Sequence, residues 1–504
     1  MASKTKKLKA DERSLFEIVL EIARHEFEVL RTKEGEFVAF PRTGPKVQID
    51  MFGSSGSLVS EIQMNCFRIT GKYPSRKLVD DVIGILMGEC KKHQKHRLYK
   101  RHASVGDSYY IDIGDETGEV IEIRDGNFSI IKQSPCLFRR NDLMDALPRP
   151  KVGRDLNEVF KVLGIPQHYW ALITGWLIAN LNSDSPGLIL LLDGEQGSGK
   201  TTVSKILGAL MDPPNTPQSP PDNRESWFDM CGRSRVIILD NLSEISKKFS
   251  DDLCRASTGA VENRRKKYTD GNTYSIGIRQ IIILNGIGLA VTRNDLVDRI
   301  IQVKMPTISE ANRMTEKELW AFWEDIYPEA LGSLLSKAAR VYEHLPNVRL
   351  EESPRMADFA RVLKSLDEIE GTNAFEVYCE GLSSMSALTI ENDPFLIAIT
   401  KEIKSPWEGT AAQLQMLLSK HAPFVESRNW PTSPRDISAK LSRSAPALRR
   451  LGFEIEDLGN RNMVNTKKWR ISPDTSVTSV TSDIFLLNKK EKKEGKYIEG
   501  YEVS

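Results

Sequence analysis

The stretch Gly187–Val203, GLILLLDGEQGSGKTTV, sets the apolar run Leu188–Leu192 directly before a segment with three glycines, one lysine and two threonines. The apolar run predicts a buried strand, and TTVSKILGALM predicts a helix after it. Glycine lets backbone N–H groups turn toward an anion, because it has no Cβ in the way. We therefore expect a phosphate-binding loop at the positive end of a helix, with an ordinary glycine-rich turn as the alternative.

The loop fits the spacing G-x-x-x-x-G-K-S/T, with Gly194, Gly199, Lys200 and Thr201 in the fixed positions. In that pattern the lysine reaches the β- and γ-phosphates of ATP, and the hydroxyl binds Mg²⁺. ATP and Mg²⁺ are therefore the expected cofactors. The residues expected to bind nucleotide are Gly194, Glu195, Gln196, Gly197, Ser198, Gly199, Lys200, Thr201 and Thr202.

Two later apolar runs end in polar residues. RVIILDN places Asp240 after four apolar residues, and QIIILN ends in Asn285. We expect Asp240 to end a neighbouring strand and to bind Mg²⁺ together with Thr201, and Asn285 to position the attacking water. The alternative for Asp240 is a buried strand that merely ends in an aspartate.

Asn241 follows Asp240, at the position where many such ATPases carry the glutamate that orients the attacking water. Asparagine can hydrogen-bond water but cannot accept a proton. The general base must then come from elsewhere, with Glu244 as a candidate, or hydrolysis relies on positioning alone.

Arg299 lies in NDLVDRI, far along the chain from the glycine-rich loop. A guanidinium so placed can act on the γ-phosphate of a neighbouring subunit, as an arginine finger does. The alternative is a salt bridge to Asp295 or Asp298.

Composition sets limits on the class of protein. The chain has 504 residues, is 40% hydrophobic and has a formal net charge of +1, which excludes a polybasic protein but not a local basic face. Six scattered cysteines without a CxxC pair favour a reducing cytoplasm. The basic N-terminus has no apolar region behind it, so no signal peptide is expected, and WALITGWLIANL is too short to span a bilayer.

The patterns predict an α/β protein with five regions. They are an N-terminal mixed α/β domain at 1–150, a P-loop ATPase core at 151–307, a helical lid at 308–400, a winged-helix domain at 401–473 and a flexible tail at 474–504. Within the first region we expect a strand pair around Lys-Glu-Gly-Glu, a helix capped near Ser75 and a three-strand meander. CKKHQKHRLYKRH is interpreted as a basic helix end, although Cys90, His93, His96 and His102 make a metal site the alternative.

The segment from TAAQLQMLLSKH through SPRDISAKLSRSAPALRRLG to FEIEDLGNRNMVNTKKWRI predicts a helix, a helix–turn–helix and a two-strand ribbon, the order of a winged helix. Ser433 before Pro434 predicts a helix start. A winged helix that contacts protein is the alternative to one that binds DNA. The basic residues expected to contact DNA are Arg443, Arg449 and Arg450 on the second helix and Lys467 and Lys468 on the ribbon.

The motifs LLLDGEQGSGKTT, VIILDNLSEI, IIILNGI, DLVDRI and SPRMADFARV, in this order, resemble the AAA+ replicative helicases of phages, phage satellites and integrative elements, of superfamily III and MCM-like type. The resemblance covers about residues 100–390. It implies a ring, a hexamer, with ATP between subunits, so that Arg299 acts on the neighbouring subunit. It also implies that Arg355, in SPRMADF, is a sensor-2 arginine; a surface arginine at a helix start is the alternative.

In the resembled helicases a β-hairpin before the IIILN strand projects into the pore and grips DNA. The matching stretch is ENRRKKYTDGNTYSIGIRQ, in which KKYT, the turn DGN and TYSIGI themselves predict a hairpin. Arg264, Arg265, Lys266 and Lys267 are expected to contact phosphate, with a solvated charge run as the alternative. By its position, the region 1–150 matches a degenerate primase-like module.

The sequence therefore predicts a cytoplasmic, ATP-dependent DNA helicase or translocase of a mobile element. Two alternatives stay open: an origin-binding initiator that uses ATP only to assemble, and an AAA+ remodeller or transcription regulator that acts on protein.

Overall fold

The structure is a computed structural model that describes residues 14–51, 57–90, 95–140, 144–214, 216–265, 273–289, 291, 293–309, 313–351, 353–391, 393–421, 430–459 and 467–473. Contacts divide the chain into two compact units. The first comprises Met1–Leu242, Arg255–Ile287 and Val303–Ala374, and the second comprises Ser243–Cys254, Gly288–Gln302 and Phe375–Ser504. The five-region division stays a prediction, and the proposed tail lies outside the described residues.

Helices and strands are mixed along the chain, as an α/β protein requires. The helices are α1 Leu15–Glu26, α2 Leu58–Thr70, α3 Arg76–Cys90, α4 Leu156–Val162, α5 Trp170–Leu181, α6 Lys200–Met211, α7 Arg224–Arg233, α8 Lys247–Thr258, α9 Asn294–Val297, α10 Glu316–His344, α11 Ala357–Glu370, α12 Ala374–Glu391, α13 Pro394–Glu402, α14 Ala411–Leu418 and α15 Pro434–Arg450. The strands are β1 Phe27–Arg31, β2 Phe37–Pro41, β3 Leu98–Lys100, β4 His102–Val105, β5 Ser108–Asp112, β6 Val120–Arg124, β7 Asn127–Ile131, β8 Leu137–Arg139, β9 Ile189–Asp193, β10 Val236–Leu242, β11 Ala260–Arg265, β12 Thr273–Ile278, β13 Ile281–Gly286, β14 Ile300–Lys304, β15 Trp407–Thr410, β16 Phe453–Gly459 and β17 Lys468–Pro473.

The N-terminal part of the first unit is mostly as predicted. β1 and β2 pair antiparallel around the Lys-Glu-Gly-Glu turn, and the Leu78 N–H donates to Ser75 Oγ at the start of α3. The three strands predicted for the meander are β5, β6 and β7, and the sheet has one further strand, in the order β4-β5-β6-β7. A tight turn at Gly106–Asp107, upstream of the predicted stretch, joins β4 to β5 with Val105 opposite Ser108.

The strands β10, β13 and β9 pair parallel in a four-stranded sheet that has the order β10-β13-β9-β14. Residues 281–286 of β13 are all buried, and β9 is buried from Ile189 to Leu192. Continuous apolar runs of this kind are typical of parallel strands covered on both faces. The pairing of Leu284 with Leu239 of β10 and Leu191 of β9 fixes the register.

The helix α5 belongs to the core, as its uniformly apolar sequence predicts. Ten of its twelve residues are buried, which leaves almost no polar face. A Cβ on Gly175 would lie 2.3 Å from Cδ2 of Leu363, so glycine is what lets α11 approach so closely. Among the described residues, no helix has the length and apolar character needed to cross a membrane. All six cysteines lie in the described part of the chain, and none is disulfide-bonded.

A β-hairpin formed by β11 and β12 precedes β13, as predicted. Ala260 pairs with Ile278 at its base and Arg265 pairs with Thr273 at its outer end. The first strand described is AVENRR, the second is TYSIGI as predicted, and the predicted strand KKYT lies outside the described residues. The residues between Arg265 and Thr273, including Lys266 and Lys267, lie outside the described residues.

The C-terminal part of the second unit has the element order α13, β15, α14, α15, β16, β17. Its sheet has the order β15-β17-β16, so the predicted two-strand ribbon gains a third strand. The predicted helix–turn–helix within SPRDISAKLSRSAPALRRLG is wrong, because residues 434–450 form one helix with Pro446 in its interior. Ser433 caps this helix, as expected, by accepting from the Asp436 N–H.

Candidate functional site

The glycine-rich loop 194–199 joins the buried strand β9 to the helix α6. Gly197 and Gly199 have φ of +84° and +76°, a left-handed conformation that favours glycine. A Cβ on Gly194 would lie 2.4 Å from the Met305 carbonyl oxygen, so a side chain there would displace the end of β14. Backbone conformation at Gly197 and Gly199 and lack of space at Gly194 therefore favour glycine in this loop.

Lys200 lies at the start of α6 and turns back over the loop. Its Nζ donates to the carbonyl oxygens of Gly194 and Glu195 at 2.7 and 2.8 Å, and to Ser198 Oγ at 3.2 Å. Ser198 is buried and donates to the Glu195 carbonyl oxygen. These bonds hold the ammonium group inside the concave side of the loop.

Asp240 and Asn285 come together with Thr201 at the carboxyl ends of β10 and β13. Thr201 Oγ1 donates to Asp240 Oδ2 at 2.9 Å, and Asn285 Nδ2 donates to Asp240 Oδ1 at 3.2 Å. One detail of the prediction is wrong: β10 does not neighbour β9, because β13 lies between them. The residues still meet because the carboxyl ends of parallel strands share one edge of the sheet.

Asn285 is fully buried, and its amide group is fixed from two sides. Nδ2 also donates to Ser204 Oγ at 3.1 Å, while Oδ1 has no hydrogen-bond partner among the described residues. A buried acceptor without a partner costs about 1–3 kcal/mol, so a partner of another kind is expected for it. Ser204, one turn after Thr201 on α6, was missed by the sequence reasoning because a helical serine has no motif of its own.

Asn241 has φ of +56°, in the left-handed region that asparagine tolerates better than most residues. Its N–H donates to Asp240 Oδ1 at 3.0 Å. The backbone at this position therefore helps to orient the carboxylate of Asp240, and the exposed Asn241 side chain is left for other contacts.

Arg313 is a second cation at the glycine-rich loop, and the sequence reasoning missed it. It follows β14 in the chain, and a Cβ on Gly197 would lie 3.4 Å from its Nη2. Its side chain is exposed and donates at 3.5 Å to the Ile308 carbonyl oxygen. Nothing in ISEANRMTEK marks this arginine, since only the fold brings the segment to the loop.

The two other predicted catalytic arginines lie outside this cluster of residues. Arg299, in the second unit, forms a salt bridge with Asp295, with Nη1 and Oδ1 2.7 Å apart, and its side chain is 11% exposed. This pair is the alternative that the sequence left open. Arg355 is exposed and lies just before α11. Their predicted roles stay predictions.

The predicted DNA-contacting residues of the second unit differ in their surroundings. Arg443 is exposed, and its Nε donates to the Ala439 carbonyl oxygen of the same helix. Arg449 donates to the Ile455 carbonyl oxygen, and Lys467 pairs with Asp457. Arg450 is mostly buried and pairs with Asp298, which removes it from the cations available to DNA.

The backbone positions of three other residues expected to contact DNA are described, and of these Lys468 is half-buried. Arg264 and Arg265 lie in β11, opposite Tyr274 and Thr273, and Lys468 begins β17. None of the groups of histidine, cysteine, aspartate and glutamate in the described residues has the arrangement of a metal site.

The cluster formed by the loop, Lys200, Thr201, Asp240 and Asn285 has the chemistry that a magnesium nucleotide requires. A hydroxyl and a carboxylate oxygen 2.9 Å apart are ligands that Mg²⁺ prefers, and the loop has N–H groups at the start of a helix. The buried Asn285 Oδ1 offers an acceptor for a water molecule. The residues present therefore fit the predicted cofactors.

Two family models match parts of the chain. Residues 166–387 match the family of actinomycete integrative conjugative element replication proteins, and residues 395–483 match the AICE RepA C-terminal domain. Together the two matches span more than half of the chain, and the first contains the glycine-rich loop, Asp240 and Asn285. The chain is a replication protein of a mobile element.

Among solved structures, the apo structure of the NrS-1 C-terminal region is 13% identical, with 92% of this chain and 100% of that chain covered and a TM-score of 0.38. The JCV helicase is 12% identical, with 46% of this chain and 71% of that chain covered and a TM-score of 0.21. None of the curated proteins matched the chain.

Proposed function

We propose that the protein is an ATP- and Mg²⁺-dependent DNA helicase or translocase that replicates a mobile element. The observation that carries the proposal is the convergence of Thr201, Asp240 and Asn285 beside the glycine-rich loop. Three residues far apart in the sequence meet within hydrogen-bond distance at the edge of a parallel sheet. An ordinary glycine-rich turn gives no reason for that convergence.

Each residue of the cluster has a defined role in this proposal. The N–H groups of the loop and the Lys200 ammonium hold the phosphates, and Thr201 and Asp240 hold Mg²⁺. Bound Mg²⁺ supplies charge neutralisation at the phosphates. Asn285 accepts a hydrogen bond from the attacking water through Oδ1, because Nδ2 is already used by Asp240 and Ser204. Arg355 contacts the nucleotide as a sensor arginine.

The active form is a ring, a hexamer, of an AAA+ P-loop core with a helical lid. Arg299 of one subunit acts on the γ-phosphate bound by the next, and to do so it must exchange its partner Asp295 for the phosphate. DNA is gripped by the β11–β12 hairpin. A winged helix formed by α13–α15 and β15–β17 binds DNA through exposed cations such as Arg443.

The test is unwinding of a forked DNA duplex by the full chain. We expect Lys200→Ala to abolish both ATP hydrolysis and strand separation, because the phosphates lose their cation. Lys161→Ala, which removes an exposed lysine of α4 far along the chain from the loop, is the matched control and should act like the parent. Unwinding by Lys200→Ala at the parent rate would disprove the proposal.

Mixing experiments test the ring. Arg299→Ala subunits mixed with parent subunits should lower activity below the value expected from dilution, because each variant subunit also inactivates its neighbour's site. Activity that falls only in proportion to the fraction of variant would mean that Arg299 does not act across subunits.

A second candidate is an origin-binding initiator that uses ATP to assemble rather than to move. The observation that favours it is Asn241, which leaves no carboxylate directly after Asp240 to serve as a base. Steady-state ATP hydrolysis separates the two candidates. Strong stimulation by single-stranded DNA supports the motor, and slow hydrolysis that DNA does not change supports the initiator.

A further inference from the structure

A basic cleft lies in the first unit, between the N-terminal α/β region and the base of the β11–β12 hairpin. Its cavity has a volume of about 470 Å³. Its charged lining consists of four cations and one carboxylate: Arg97, Lys100, Arg235, Arg279 and Glu34. Lys100 and Arg235 also border a smaller recess behind it, which adds Arg101, Arg139, Arg233 and Asp212. The cleft therefore has an excess of positive charge, although the chain as a whole is nearly neutral.

The two central cations, Lys100 and Arg235, form no ion pair with a carboxylate among the described residues, although the negative charge of Asp212 favours the charged form of both. Lys100 Nζ donates to the Cys231 carbonyl oxygen at 2.5 Å, and Arg235 donates through Nη1 to the Arg279 carbonyl oxygen. Neither has an ion-pair partner among the described residues. Arg97 differs, since it pairs with Asp184 at 2.6 Å. An uncompensated buried cation is costly, which makes an anionic ligand at this place favourable.

Two buried side chains of the cleft have polar atoms without partners. Arg235 is 6% exposed and His102 is 1% exposed. Nε of Arg235 and both ring nitrogens of His102 form no hydrogen bond with the described residues. Burial lowers the pKa of His102 well below its usual value, so the ring is neutral and one of its nitrogens is a donor. These donors are what a phosphate oxygen requires.

The cleft is built to hold its cations in place. Gly259, at the base of the hairpin, has φ of +92°, and a Cβ there would lie 2.7 Å from Nε of Arg279. Arg97 packs over the ring of Tyr99 at 4.5 Å from its centroid. Burial, together with the charge of Arg139, lowers the pKa of Lys100 to about 8, so a large part of its charge is kept at pH 7.

We propose that this basic cleft binds the phosphate backbone of single-stranded nucleic acid at the base of the hairpin. The assignment rests on the proposed function, since it takes DNA as the substrate and extends its path from the hairpin to the N-terminal region. A single strand fits better than a duplex because a cavity of this volume is too small for a double helix. Free phosphate has the same chemistry, and the test distinguishes the two sources.

The test measures binding of a fluorescent 30-nucleotide oligothymidylate to the full chain without added nucleotide, as a function of salt. The variant is Lys100→Met with Arg97→Gln, and the control is Arg68→Gln with Lys161→Met, which removes the same charge outside the cleft. Each lost phosphate contact should reduce the slope of log affinity against log salt concentration by about 0.7, which corresponds to about fivefold weaker binding at 0.1 M salt. We expect about 5- to 25-fold weaker binding and a shallower slope for the cleft variant only.

A second measurement covers the case in which the cleft variant folds poorly. Ultraviolet cross-linking of the parent chain to oligothymidylate with 5-iodouracil should label peptides that contain Tyr99 or the hairpin base at 259–261 and 277–279. Parent-like affinity and salt slope for the cleft variant, or cross-links only elsewhere, would overturn the proposal.

A third measurement tests whether the cleft binds a free anion, with inorganic pyrophosphate as the ligand and the melting temperature as the readout. It uses the Lys200→Ala chain, so that binding of pyrophosphate at the glycine-rich loop is weakened. If the cleft substitutions remove stabilisation by pyrophosphate but leave oligothymidylate affinity unchanged, the cleft takes a small free anion and the single-strand assignment fails. No step of these tests depends on ATP hydrolysis. A chain that fails to unwind DNA but shows cleft-dependent binding would therefore disprove only the proposed motor.

Discussion

Arg450, the last residue of α15, forms an ion pair with Asp298, the residue directly before Arg299. Arg450 also donates to Ser386 Oγ at 3.0 Å, and Asn294 Nδ2 donates to the Arg443 carbonyl oxygen. The helix expected to contact DNA is thus bonded to the short segment that contains the proposed trans-acting arginine. Within the second unit, these bonds connect α15, the helix expected to bind DNA, to the segment that contains Arg299.

Replacing Arg450 tests this connection. Arg450→Gln leaves the carboxylate of Asp298, which is 5% exposed, without its cation, so we expect a loss of about 2 kcal/mol in unfolding free energy. Arg443→Gln is the control and should change it by less than about 0.5 kcal/mol, because that side chain is exposed. Denaturant unfolding measures both. Adding Asp298→Asn to Arg450→Gln should recover part of the lost unfolding free energy. If the effects of the two substitutions simply add, the ion pair contributes nothing to stability.

Asp240 is expected to be needed for metal-dependent chemistry more than for folding. Asp240→Asn keeps the hydrogen-bonding shape but removes the charge, so we expect ATP hydrolysis to fall by about 100-fold or more. The dependence of nucleotide affinity on Mg²⁺ should fall with it. Asp222→Asn, at an exposed position of the same unit, is the control. Hydrolysis by Asp240→Asn within threefold of the parent would contradict the metal role.

Arg313 gives a prediction at the mouth of the glycine-rich loop. Arg313→Ala should weaken nucleotide affinity by about three- to tenfold, since a partly solvated cation beside a phosphate is worth about 1 kcal/mol. Arg313→Lys should recover part of that affinity. Isothermal titration with a non-hydrolysable ATP analogue measures it. An Arg313→Ala chain that binds as the parent does would place this side chain away from the nucleotide.

The half-buried Lys100 predicts a pH dependence of stability. Its pKa is lowered to about 8 by burial and by Arg139 and Arg235, with Cys231 and Asp212 opposing, whereas an unfolded lysine titrates near 10.4. Between these values the unfolded chain binds more protons, so this residue makes stability rise as pH rises from about 8 to 10. Lys100→Met should be more stable than the parent at pH 7, and the difference should shrink toward pH 10. Melting temperatures at matched pH measure this; a constant difference would mean that Lys100 does not titrate there.

Local patterns in the sequence predicted the local structure of the site well. The strand, loop and helix around Lys200 depend on neighbours in the chain, and so does the start of α15 at Ser433. Strand order is different, because parallel strands pair through long crossovers that leave no trace in nearby residues. For that reason the position of β13 between β9 and β10 could not be predicted, although the convergence of Thr201 and Asp240 could.

Two kinds of information were missing from the sequence. A helix–turn–helix was expected within SPRDISAKLSRSAPALRRLG, but the apolar positions Ile437, Leu441 and Leu448 are buried on one face of a continuous helix. The sequence also does not show which charged residues form ion pairs, because the pairing of Arg299 and of Arg450 with carboxylates depends on how the elements pack. The sequence therefore identified the candidate charged residues, but the residue with which each of them pairs could be known only from the fold.

The left-handed backbone at Asn241 restricts how this protein could acquire a faster hydrolytic step. A glutamate there would adopt this backbone less readily than asparagine, whose short polar side chain favours the left-handed region, and a change in φ would move the N–H that donates to Asp240. Introducing a glutamate at position 241 by a single substitution is therefore expected to disturb Asp240, the proposed metal ligand beside it. A faster rate of ATP hydrolysis is therefore easier to obtain by placing a proton acceptor on another segment than by replacing residue 241.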